Sequence, residues 1–95
     1  MKGITVSEFI RYGNLNVIDI RNEQSYNNNH IPGAINIPYN KLIANPNNFL
    51  DRTKKYYIYC QKGNLSLKLC NYLTSLGYNV INIIGGYEEW IMKTN

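Results

Sequence analysis

The feature that most constrains this chain is the alternation of short apolar, β-branched runs with stretches of helical spacing. Asn16-Val17-Ile18-Asp19-Ile20, Ala34-Ile35-Asn36-Ile37, Lys55-Tyr56-Tyr57-Ile58-Tyr59 and Asn79-Val80-Ile81-Asn82-Ile83 read as strands. Strands that alternate with helices imply a largely parallel sheet covered on both faces, the α/β class. The 95 residues support one domain, residues 1–95, with a core that closes without metal or disulfide staples.

The intervening segments supply the covering helices. Thr5 to Tyr12 reads as a short helix with Ser7 as N-cap, Phe9 and Ile10 inward, and Gly13 ending it. Asn22 to Asn28 is a short helix or loop. His30-Ile31-Pro32-Gly33 is turn chemistry, and Pro38 stops the strand that follows. Tyr39 to Thr53 is irregular, with short helices expected around Lys41-Leu42-Ile43 and Pro46 to Leu50. A longer helix is expected from about Leu65 to Leu76, with Leu65, Leu69, Cys70, Leu73 and Leu76 on one face and Gly77 as C-cap. Gly85-Gly86 is a turn before a terminal helix from Tyr87 to Met92, in which Trp90 is a core residue.

Charge and cysteine usage narrow the function classes. Net charge is +4, but the basic residues are scattered and none of their clusters exceeds Lys54-Lys55, so a nucleic-acid groove is not expected. A small anion needs only one or two well-placed cations. No apolar run approaches the roughly 20 residues of a membrane span. The stretch Met1 to Glu8 shows no apolar signal core, and the two cysteines then point to reduced thiols in a cytoplasmic setting.

Cys60 leaves a buried strand and enters a short loop that opens a helix. Backbone N–H groups of such a loop and first turn converge on one spot, and the helix dipole adds positive potential there. A thiol so placed ionises more readily, and the thiolate is the nucleophile. Gly63 lets the loop curl into an anion-binding nest, Lys62 adds a cation, and Ser66 can cap the helix or donate its hydroxyl to an anion. The competing reading of Cys60 is a small hydrophobe ending a core strand. Cys70 sits mid-helix among Leu69 and Leu73, where packing is expected, and its spacing from Cys60 fits no metal or redox motif.

Four segments in order carry a resemblance to the single-domain rhodanese-like family. They are Val17-Ile18-Asp19-Ile20-Arg21, His30-Ile31-Pro32-Gly33-Ala34-Ile35-Asn36-Ile37-Pro38, Tyr57-Ile58-Tyr59-Cys60-Gln61-Lys62-Gly63-Asn64-Leu65-Ser66 and Gly85-Gly86-Tyr87-Glu88-Glu89-Trp90. The resemblance implies a three-layer fold, a central, mostly parallel five-stranded sheet flanked by helices on both faces. It also implies a complete single unit rather than a fragment of a two-domain enzyme. The implied activity is sulfur transfer. Cys60 would take a sulfane sulfur from a small anionic donor such as thiosulfate, hold it as a persulfide, and pass it to cyanide, a thiol or a partner protein. Gln61, Lys62, Gly63, Asn64, Leu65 and Ser66 would form the substrate cradle. No organic cofactor or metal is implied, and neither a nucleic acid nor a membrane is an expected partner. Many relatives carry Arg where this chain has Leu65, which leaves Lys62 as the loop's cation.

The remaining site residues read as support. Asp19 is expected to accept hydrogen bonds from loop amides. Arg21 is expected to pair with Glu23 or another acid and brace the rim, with contact to the donor anion as the alternative. His30, Pro32 and Gly33 belong to a structural turn. Tyr56, Tyr57 and Tyr59 read as packing. Two other functions compete with sulfur transfer. A cysteine-dependent phosphatase needs Arg six residues after the cysteine, where this chain has Ser66, although arsenate reduction by the same fold stays open. A non-catalytic or regulatory binding module is the other.

Overall fold

A computed structural model describes residues 3–13 and 15–95. Lys2, counted above among the scattered basic residues, and Met1 lie outside the described residues. The order of elements is β1 (Gly3–Thr5), α1 (Val6–Arg11), β2 (Val17–Asp19), α2 (Glu23–Asn28), β3 (Ile35–Asn36), α3 (Tyr39–Ala44), a 3₁₀ turn (Pro46–Asn48), β4 (Lys55–Tyr59), α4 (Asn64–Ser75), β5 (Asn79–Ile84) and α5 (Gly86–Thr94).

The five strands form one sheet in the order β1-β5-β4-β2-β3, and every pairing is parallel. The edge strand β1 carries no sequence signal, whereas β3 falls inside the strand expected at Ala34 to Ile37. β1 has a single buried side chain, Ile4, so no periodicity announces it. It forms by laying Gly3, Ile4 and Thr5 against Asn82, Ile83 and Ile84. β3 is only two residues long.

Strand alternation sorts the core into two layers. On β4, Tyr56, Ile58 and then Cys60 face one side, where Leu42 of α3 and Leu69, Cys70 and Leu73 of α4 pack. Tyr57 and Tyr59 face the other, against Val6 and Phe9 of α1 and the partly buried Tyr26, Tyr87 and Trp90 of α2 and α5. The architecture is therefore the three-layer α/β arrangement that the alternation predicts. Among the described residues, no helix is long and apolar enough to cross a membrane.

Several local expectations change. The cap of α1 is Thr5, not Ser7. Thr5 Oγ1 accepts the Glu8 N–H while Glu8 returns a bond to the Thr5 N–H, a capping box already written as Thr5-x-x-Glu8. The helix runs out at Tyr12, one residue before Gly13. Phe9 is buried but Ile10 is 47% exposed, because a six-residue helix resting on Val6 and Phe9 turns the next position outward. On α4 the inward set is Ser66, Leu69, Cys70 and Leu73, and both Leu65 and Leu76 are exposed. Leu76 is the C-cap of α4, with Gly77 just beyond it.

The strand order also dictates where a cleft must open. After β2 the chain moves outward to β3; after β4 it moves the other way to β5. The segments leaving the carboxyl ends of β2 and β4 therefore diverge, and the crevice between them is the usual ligand position in an open parallel sheet.

Candidate active site

The divergence creates a cleft of about 460 Å³ lined by Ile20, Arg21 and Asn22 after β2, Ser25 of α2, and Cys60, Gln61, Lys62, Asn64 and Leu65 after β4. Cys60 lies at its base, 5% exposed. Its Sγ accepts the backbone N–H of Gly63 at 3.2 Å and of Ser66 at 3.3 Å. Two amides thus converge on the sulfur at the start of a twelve-residue helix, the cradle read from the loop sequence.

The loop can turn its amides inward because its carbonyls are held from behind. The N–H groups of Tyr87 and Glu88, in the first turn of α5, donate to the carbonyls of Cys60 and Gln61 at 2.9 and 3.0 Å. Those carbonyls would otherwise face the sulfur or solvent. This close approach requires Gly86. With φ at +61°, a Cβ there would land on the Cys60 carbonyl oxygen and within 2.9 Å of the Gly63 nitrogen.

Ser66 is not the helix cap. The cap position is Gly63, with φ at +98°, and Ser66 sits in the first turn with no exposed surface. Its Oγ lies 3.3 Å from Cys60 Sγ and donates to Asn82 Oδ1 at 2.5 Å. The helix begins one residue earlier than expected, which turns Ser66 into the core and leaves Leu65 on the rim, 42% exposed.

Asp19 and Arg21 form the opposite wall. Asp19 is completely buried. Its carboxylate accepts Arg21 Nε at 3.0 Å, Arg21 Nη2 at 2.8 Å, the Arg21 backbone N–H at 2.8 Å and the Tyr59 hydroxyl at 2.7 Å. The brace predicted for Arg21 is therefore present, but to Asp19 rather than Glu23. The guanidinium also donates to the Asn29 carbonyl and to Gln61 Oε1, and it lies 4.0 Å over the Tyr87 ring. Burial works against the Arg21 charge, and the bonds and charge of Asp19 outweigh it, so its pKa moves up. Burial and then the Asp19 hydrogen bond push the Tyr59 phenol well above its ordinary value. Gln61 completes the link by donating to Glu88 at 3.3 Å.

His30, Pro32 and Gly33 lie away from the sulfur. The His30 ring stacks on Tyr26 and its Nδ1–H donates to the Tyr26 carbonyl at 2.8 Å. Pro32 and Gly33 border a different, apolar groove with Phe9 and Trp90. The turn still serves the site indirectly, because the Ile31 N–H donates to the Tyr59 hydroxyl, which in turn holds Asp19.

Four contributors escaped the sequence reading: Tyr59, Tyr87, Asn36 and Asn82. Asn36 donates to the carbonyls of both Asp19 and Arg21 at 2.9 Å. Asn82 was visible in principle, as a polar residue inside an apolar strand run. Tyr59 and Tyr87 carry no such signal, since a tyrosine in a strand or helix usually packs.

Comparison with known proteins fits this geometry. The rhodanese-like domain description matches residues 5–93. The chain belongs to the rhodanese-like family. This rhodanese-like chain is 36% identical over 73 residues to the thiosulfate sulfurtransferase GlpE of Tolumonas auensis, covering 76% of this chain and 68% of that protein. It is 32% identical over 81 residues to YrkF of Bacillus subtilis, named as a sulfur carrier protein. That match covers 84% of this chain but 43% of YrkF, so the chain spans less than half of that relative. A crystal structure from Staphylococcus saprophyticus superposes with a TM-score of 0.85 at 34% identity, over 95% of this chain and 93% of that one. The α/β rhodanese fold and membership of a sulfurtransferase family follow.

Proposed function

We propose that the chain is a sulfurtransferase that carries a sulfane sulfur as a persulfide on Cys60. The observation that supports this most directly is Cys60 Sγ at the base of an open cleft with the Gly63 and Ser66 amides aimed at it. In the first half-reaction the Cys60 thiolate attacks the outer sulfur of thiosulfate or of another persulfide. The new Sγ–S bond forms as the donor's S–S bond breaks, and with thiosulfate the electron pair leaves on sulfite. In the second, a thiophilic acceptor such as cyanide, a thiol or a partner protein attacks the outer sulfur and the electron pair returns to Sγ. Thiolate, persulfide anion and sulfite are all anionic, so preorganised amide donors suit every stage. Lys62 lines the same cleft and adds positive potential where an anionic donor enters, while the charge of Arg21 is paired with Asp19.

The test is direct. Thiosulfate and cyanide should yield thiocyanate with the wild-type protein and with Cys70→Ser, and none with Cys60→Ser. After exposure to a persulfide donor, the Cys60 peptide should gain about 32 Da, one sulfur atom. Absence of both turnover and mass gain would leave a binding module as the better account.

A further inference from the structure

Three large apolar side chains on α4 and its C-cap stand half-exposed. Leu65, Tyr72 and Leu76 leave 42%, 44% and 38% of their surface open. Spacings of seven and then four residues stack them along one side of the helix, a stripe about 16 Å long. The stripe starts at the cleft, because Leu65 is part of the cleft wall. A surface helix usually carries polar or charged residues outside its core-facing side. Here Lys68, between Leu65 and Tyr72, is the one charged residue of the whole helix.

The charge around the stripe has one sign. Residues 38–50 and 60–78 supply α3, the 3₁₀ turn, the Cys60 loop and α4. They contain Lys41, Lys62 and Lys68 and no carboxylate side chain. All three lysines are exposed, and none of them is in an ion pair among the described residues. On the other side of the sheet, α1, α2 and α5 carry Glu8, Glu23, Glu88 and Glu89 against Arg11 and Lys93. The layer that holds the stripe is therefore cationic and the opposite layer acidic.

Cys60 is nearly closed off at the base of the cleft, so sulfur must be brought down to it on something narrow. A small anion needs only the cleft and makes no use of Tyr72 or Leu76. A stripe that runs away from the cleft mouth fits a polypeptide, and about five extended residues span it. We infer that the α4 face is a docking surface for an acidic protein partner that presents a cysteine persulfide to Cys60. Apolar side chains of the partner settle on Leu65, Tyr72 and Leu76, and its carboxylates meet Lys68 and Lys62. The inference rests on Cys60 being the sulfur carrier, as proposed above, and assigns the class of its donor. In the transfer, the Cys60 thiolate attacks the partner's outer sulfur. The Sγ–S bond forms, the partner's S–S bond breaks, and the electron pair leaves on the partner's cysteine as a thiolate. The persulfide hydrogen stays on the outer sulfur.

The experiment compares sulfur transfer to Cys60 from two synthetic peptides, read as the mass gain of the Cys60 segment over time. Each peptide has a cysteine persulfide at one end and leucines behind it; one has Glu between the leucines, the other Lys. At low salt the acidic peptide should be about tenfold faster, and salt should narrow the gap. Lys68→Glu should cut the preference to about twofold or less. Lys54→Glu, the same charge change at the other end of β4, should leave it unchanged. Tyr72→Ser should slow the acidic peptide about threefold and leave thiosulfate turnover as it is. All three substitutions are at exposed positions. Equal rates for the two peptides, or a preference that survives Lys68→Glu, overturns the inference. So does an equal fall in Lys54→Glu, or a Tyr72→Ser protein that slows with thiosulfate as well. A dimer in sedimentation that Tyr72→Ser dissociates would assign the stripe to a second copy and overturn it too. If Cys60 gains sulfur from thiosulfate alone, only the inference fails; if from neither peptide nor thiosulfate, the proposed function fails with it.

Discussion

The carbonyl oxygen of Cys60 accepts the backbone N–H of Tyr87 at 2.9 Å, so the first turn of the last helix grips the peptide group of the proposed nucleophile. Gly86 makes that contact geometrically possible. Gly86→Ala should therefore destabilise the fold by about 1–3 kcal/mol through strain at positive φ, and more if the loop must shift. It should also lower sulfur transfer steeply. Gly33→Ala is the control. Its φ is also positive, at +86°, but nothing lies within 4 Å of an added Cβ and the turn is remote from Cys60. It should cost about 1 kcal/mol and leave turnover intact. Urea denaturation together with a thiocyanate assay separates the two.

The two thiols should behave oppositely. Burial, helped by the nearby Cys60, pushes the Cys70 thiol up to about 12. Iodoacetamide at neutral pH should therefore label Cys60 at least about tenfold faster than Cys70, as read on separate peptides. The same shift has a stability consequence. The folded-state pKa lies above the unfolded value of 9.0, so as pH rises the unfolded chain loses this proton first. The contribution is complete below 9.0 and drains away towards about 12. Cys70→Ala should accordingly lose less stability than wild type between those limits in urea denaturation.

Tyr59→Phe removes a donor to the buried Asp19 carboxylate and the acceptor for the Ile31 N–H. Leaving those buried groups short of a partner should cost about 1–3 kcal/mol. The Cys60 cradle is built from Gly63 and Ser66 and is not touched. The expected result is a lower denaturation midpoint with kcat retained to within about threefold. Loss of activity without loss of stability would contradict the assignment of Tyr59 to support.

Charge at the cleft rim should sort donors. Lys62→Ala should raise KM for thiosulfate by about three- to tenfold at low salt, less at high salt, and should barely alter an uncharged organic trisulfide. Leu65→Arg should do the reverse, because Leu65 lies on the cleft wall with 42% of its surface exposed. Equal effects on charged and uncharged donors would take both positions out of the donor site.

The placement of these residues explains what could be read in advance. Lys55 to Tyr59 is legible as a strand because four β-forming residues, Tyr56 to Tyr59, sit together, and the loop from Cys60 to Ser66 is legible because its chemistry is contiguous. Local propensity and spacing suffice for both. The sequence by itself determined the α/β class, the strand–loop–helix junction at Cys60, and the division of two cysteines into a cleft thiol and a core thiol. The tertiary structure alone decided the partners that come from afar. Asp19 meets Tyr59 across 40 residues, Ser66 meets Asn82 across 16, and the Cys60 carbonyl meets Tyr87 across the β4–β5 crossover. No local rule pairs them. Parallel strands place the two termini of each connection at opposite ends of the strands, so neighbours at one end of the sheet are necessarily distant in the chain.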